Sequence, residues 1–160
     1  MIFNEKAMIL TKLQRFFIRY LSDDSENAVP LEHRLQLACA VLMVEMTHVD
    51  EQVSKQEEAK LRQLIKQRFE LNTEEIEAII ELANDEKHGA TDYYQYTSLL
   101  NSHYSQQQKI KLVEDLWMLA FADGALDKYE EHLLRRLADL LHVPHRDLIR
   151  TKHKTIKNIS

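Results

Sequence analysis

The chain has 160 residues with only 2 glycines, 2 prolines and one cysteine, Cys39. So few chain-breaking residues exclude a turn-rich sandwich or barrel, and a single thiol excludes a disulfide framework or a multi-cysteine zinc site. The net charge of −5 hides a strong asymmetry: residues 1–21 carry +3 and residues 150–160 carry +4, leaving −12 between them. A body this acidic repels nucleic acid and attracts cations.

Ile9/Leu10, Leu13, Phe16/Phe17 and Tyr20/Leu21 recur at three- and four-residue spacing, which predicts an amphipathic helix over 1–21. Lys12, Arg15 and Arg19 fall on its other face, so it either packs on the body or touches a partner or a membrane surface peripherally. The polar stretch 22–30 reads as a linker. From Leu31 to Val49 a strongly apolar helix follows, with Pro30 at its entry.

Five further helices are marked by their caps. Ser54-Lys55-Gln56-Glu57 opens one to about Phe69, and Asn72-Thr73-Glu74-Glu75 another to about Lys87. Thr91-Asp92 caps a short Tyr-rich helix ending near Asn101. Ser105-Gln106-Gln107-Gln108 opens a helix to Phe121, and Asp127-Lys128-Tyr129-Glu130 one to Leu141. Pro144 begins a last helix to about Lys152, leaving 153–160 as a basic tail. The expected class is all-α, seven or eight helices without strands.

Sliding the chain on itself by 73 residues superposes two segments. Leu37, Met43 and Val44 meet Ile110, Leu116 and Trp117. Asp50 falls on Asp123, Val53 on Leu126, Ser54 on Asp127 and Glu57 on Glu130. Leu61, Arg62 and Leu64 then match Leu134, Arg135 and Leu137. The expectation is an internally duplicated helical bundle over 31–152, with copies at about 31–87 and 105–152.

The sharpest local motif is Ala122-Asp123-Gly124-Ala125-Leu126-Asp127-Lys128-Tyr129-Glu130. It is not an EF-hand. Aligned as one, it puts Leu119 and Phe121 at obligatory oxygen positions, and the other copy puts Met46 and His48 there. Two readings stay open. In one, the acids are turn and cap residues, with Ser54–Glu57 and Asp127–Glu130 as capping boxes. In the other, Asp50, Glu57, Asp123 and Glu130 pool four carboxylates around one hard divalent cation, with calcium, magnesium or manganese better suited than zinc.

The eight histidines form no His-Glu-x-x-His pattern, and no phosphate loop or nucleophile elbow is present. Met43, Met46, Trp117 and Met118 read as core, and Cys39 as a small buried residue. A non-enzymatic protein is expected. No leader pattern and no apolar run of membrane-spanning length appear, which points to the cytoplasm.

The run Leu119-Ala120-Phe121-Ala122-Asp123-Gly124, then Leu126-Asp127 and Glu130, then Leu133-Leu134-Arg135-Arg136-Leu137, resembles the TerB-like family, named for tellurite-resistance protein B. The likeness covers about residues 31–150. It implies an all-helical duplicated domain and a divalent-cation site at Asp123 and Glu130, with Asp50 and Glu57 as weaker counterparts. The first copy departs from the pattern, with His48-Val49-Asp50-Glu51 in place of Ala-Asp-Gly. Family members are associated with tellurite and general stress responses, and a related domain precedes J-domains in some membrane-anchored co-chaperones. Expected partners are therefore proteins: either a stress-response assembly, or a metal-free scaffold that is co-chaperone-like.

Overall fold

The computed structural model describes residues 12–22, 29–47, 55–84, 90–122 and 126–159. Eight α-helices and one π turn occupy these residues, and none of them forms a strand. They are α1 (Lys12–Phe16), running into the π turn Phe17–Leu21, then α2 (Leu31–Thr47), α3 (Lys55–Arg68) and α4 (Thr73–Asn84). The rest are α5 (Ala90–His103), α6 (Gln106–Ala120), α7 (Lys128–Leu140) and α8 (His145–Ile159). No helix among the described residues is long and apolar enough to cross a membrane.

Helix α2 is the axis of the bundle. Every residue from Leu37 to Thr47 is buried, so the helix has no solvent face along that length. A helix apolar all round must be wrapped on all sides, and α2 packs against the π turn, α3, α4, α5, α6 and α7. Its polar members are paired: Tyr93 donates its hydroxyl to Glu45 (3.1 Å), and Thr47 donates to the Met43 carbonyl (2.9 Å). Helix α6 is the second long buried element, with Trp117 fully enclosed and its indole N–H donated to the Leu148 carbonyl of α8 (3.0 Å).

The packing pairs of the two long buried helices interchange: α2 packs on α3 and α4, and α6 on α7 and α8. Helix α2 meets α6, α2 meets α7, and α6 meets α3.

The N-terminal segment spends its apolar face on the body. Leu13 and Leu21 are fully buried, Tyr96 donates its hydroxyl to the Leu13 carbonyl (2.6 Å), and the Phe17 ring meets Tyr96 edge-on at 5.3 Å. Residues 1–11 of the predicted helix, and 23–28 of the predicted linker, lie outside the described residues. The predicted basic tail from residue 153 is corrected: α8 continues to Ile159. Thr151 and Thr155, one turn apart, are both buried and bond back to carbonyls of the preceding turn, which seats that face on the body. Helix α5 is likewise longer than expected, by about a turn in all.

Helix α7 ends in a Schellman motif. The Val143 N–H reaches the Ala138 carbonyl (2.9 Å) and the His142 N–H the Asp139 carbonyl (3.0 Å), which requires a left-handed residue at 142. That residue is a histidine, at φ 59°. A side chain with a Cβ is disfavoured there, so His142→Gly is expected to raise stability by about 1 kcal/mol in urea unfolding, and His142→Val to lower it.

Candidate functional site

The two acidic turns join α2 to α3 and α6 to α7. Asp50 and Asp123 lie outside the described residues, as does the side chain of Glu57, which starts in the first turn of α3. Of the four candidate ligands, Glu130 is therefore the one whose surroundings are described. It sits in the first turn of α7 and is only 3% exposed. The Asp127 carboxylate ahead of it is the N-cap and accepts the N–H groups of Tyr129 (2.7 Å) and Glu130 (3.2 Å).

Two other helix starts provide the comparison. Asn72 and Glu75 exchange hydrogen bonds at 2.8 and 3.0 Å, a complete capping box, and so do Ser105 and Gln108. In those boxes the third-position side chain stays near the surface: Glu75 keeps 24% of its side chain exposed and Gln108 is exposed. Glu130 occupies the same position yet is taken inside. A carboxylate pays a desolvation cost for that and needs positive charge or donors around it. Among the described residues, no group of three His, Cys, Asp or Glu side chains is placed to hold a metal.

A second polar cluster, which sequence reasoning missed, sits where α2, α3 and α6 meet. Asp115 has 3% of its side chain exposed and accepts a 2.8 Å bond from the Arg68 guanidinium. Burial raises the Asp115 carboxyl above its ordinary range, and the charge and hydrogen bond of Arg68 pull it back. Nearby, the Cys39 thiol donates to the Tyr104 hydroxyl at 3.3 Å. Burial pushes Cys39 up to about 12 and also raises the Tyr104 phenol. Both groups are neutral at physiological pH, so Cys39 is an inert core thiol rather than a nucleophile.

Other charged contacts tie the helices together. His33 of α2 meets the Glu75 carboxylate of α4 at 2.6 Å, so this carboxylate serves both a cap and an interhelical bond. Lys152 of α8 pairs with Glu131 of α7 (3.2 Å) and lies over the Trp117 ring at 5.5 Å.

The family model described as "Tellurite resistance protein TerB" matches residues 36–153, most of the chain. The chain belongs to that family. No curated protein and no solved structure gave a match.

The raised Asp115 carboxyl has a testable sign. Its ionised form opposes folding, so its contribution to stability is present in acid and lost as pH rises through the raised value. Removing Arg68 raises it further. Arg68→Ala is expected to cost about 2 kcal/mol at pH 7.5 in urea unfolding, a figure lowered because Arg68 is itself one-third exposed. The loss should shrink on acidification, as Asp115 takes up its proton; a loss that grows on acidification would contradict this reading.

Proposed function

We propose that this TerB-family protein is a non-enzymatic, cytoplasmic divalent-cation binder acting in a bacterial stress response of the tellurite-resistance type. Asp50, Glu57, Asp123 and Glu130 supply the carboxylates, with water completing the shell. The observation that carries the reading is the burial of Glu130 at a position where the other two capping-box residues remain near solvent. An internal duplication is part of the proposal. It is supported by the 73-residue repeat in the sequence and by the interchange of packing partners between α2 and α6.

The donor set fits a hard cation. All four candidates are carboxylates, calcium and magnesium take oxygen ligands, and manganese accepts the same set. The −12 charge of residues 22–149 would raise the local cation concentration without steering nucleic acid. The bound ion would tie α2–α3 to α6–α7 and present a stiffened surface to a protein partner. A peripheral membrane contact through 12–21 finds less support, because Leu13 and Leu21 are already buried in the body.

Thermal unfolding with calcium, magnesium or manganese tests the proposal. At 100 times its dissociation constant a cation adds about 2.7 kcal/mol. For a domain of this size that is a rise of about 5–10 °C. The rise should vanish in Asp123→Asn/Glu130→Gln. No shift at millimolar cation would leave a metal-free interaction scaffold, in which the same acids act only as caps.

A further inference from the structure

A recess of about 750 Å³ opens between α3, α6 and α8, with Ala122, the neighbour of Asp123, in its wall. That volume falls in the range of small-molecule sites. Its floor is apolar: Met118 of α6, Phe121 at the end of α6, and Ile159 of α8, which is 53% exposed. Its polar edge is supplied by one lysine from each helix, Lys60, Lys111 and Lys154.

The charges there do not balance. Glu114 lines the same recess and is shared by two of the lysines, at 3.5 Å from Lys111 and 3.1 Å from Lys154. Lys60 forms no ion pair among the described residues, and among those that line the recess three ammonium groups face one carboxylate. Because the whole protein is acidic, a local positive excess over an apolar floor is the more distinctive.

The kind of anion follows from what else lines the recess. Among the described residues it holds no arginine fork and no helix N-terminus, the features that favour phosphoryl groups of high charge. Instead it meets the C-terminal ends of α6 and α8, whose partial negative charge opposes a multiply charged ligand. A flexible methionine and an exposed isoleucine suit an alkyl chain. We infer that this recess binds a single-chain amphiphile with a small anionic head, its chain on Met118, Phe121 and Ile159 and its head among the three lysines.

The only tryptophan of the chain provides the readout. Trp117 stacks on Phe121, with ring centroids 6.0 Å apart and planes at 27°, so a chain laid against Phe121 changes the indole surroundings. The full-length protein is titrated with decanoate and with decyl phosphate, below micelle formation and with chelator present. Acetate, inorganic phosphate and decyltrimethylammonium are the controls. The expected result is saturable 1:1 binding of decanoate, tighter than that of decyl phosphate, whose more highly charged head the helix C-termini oppose. Acetate, inorganic phosphate and the decyl cation should give no saturable change.

Lys60→Gln/Lys111→Gln/Lys154→Gln should weaken binding at least tenfold while leaving the unfolding midpoint nearly unchanged. Ile159→Asp, with all three lysines kept, should weaken it by a similar factor. Equal binding of decyltrimethylammonium, binding of inorganic phosphate as tight as that of the decyl anions, or affinity unmoved by both variants would overturn the inference. So would the absence of saturable binding in calorimetry. An acidic peptide that binds while every decyl anion fails would reassign the groove to a protein partner. Asp123→Asn/Glu130→Gln should leave decanoate binding unchanged, which separates this site from the cation proposal.

Discussion

Helix α2 sets the terms for everything around it. Eleven consecutive residues, Leu37 to Thr47, are withdrawn from water, and an isolated helix of that composition would have no soluble face. Each neighbour therefore has to contribute an apolar stripe, and together they cover α2 from every side. Large side chains at its centre, Leu42, Met43 and Met46, are fully enclosed, and truncating one of them to alanine costs about 2–5 kcal/mol in comparable cores. The polar groups that α2 carries inward are tolerated because each has a donor or acceptor in reach, as with Glu45 and the Tyr93 hydroxyl.

Both proposed sites lie at the edges of this core. The acidic turns are the links that leave the two most buried helices, so any ion held there would brace the ends of the core. Glu130 joins the two levels, since it belongs to a helix start and yet is enclosed by the bundle. The lysine-edged recess between α3, α6 and α8 differs in character: among the described residues its lysines outnumber its acids, and Ile159 at its apolar side stays half-exposed. A chain with −12 in its middle and +4 at its end can support two sites of opposite preference.

Much of the architecture was readable from local signals. Asn72–Glu75 and Ser105–Gln108 close as reciprocal boxes, and Asp127 caps α7, because capping depends on residues three apart and little else. The burial of Trp117, Met43 and Met46 followed from helical spacing of apolar residues. What escaped depended on contacts far apart in the chain. Nothing local distinguishes Asp115 from Glu114, yet one is sealed against Arg68, 47 residues away, and the other faces solvent-exposed lysines. The extension of α8 was hidden because its inward face from 151 to 155 is made of threonines rather than leucines. The left-handed His142 escaped because the motif around it usually holds glycine. Of the four acids, only Glu130 has described surroundings, so the proposed pairing of the two turns rests on the proposed duplication and on the packing pattern.

The claim that both turns serve one ion is tested most directly by paramagnetic broadening of backbone amide signals on adding manganese. One shared ion should broaden residues 49–53 and 122–126 together, at the same low manganese concentration, and substituting Glu130 by glutamine should relieve both sets at once. Broadening confined to one turn, or spread evenly over the acidic surface, would contradict it.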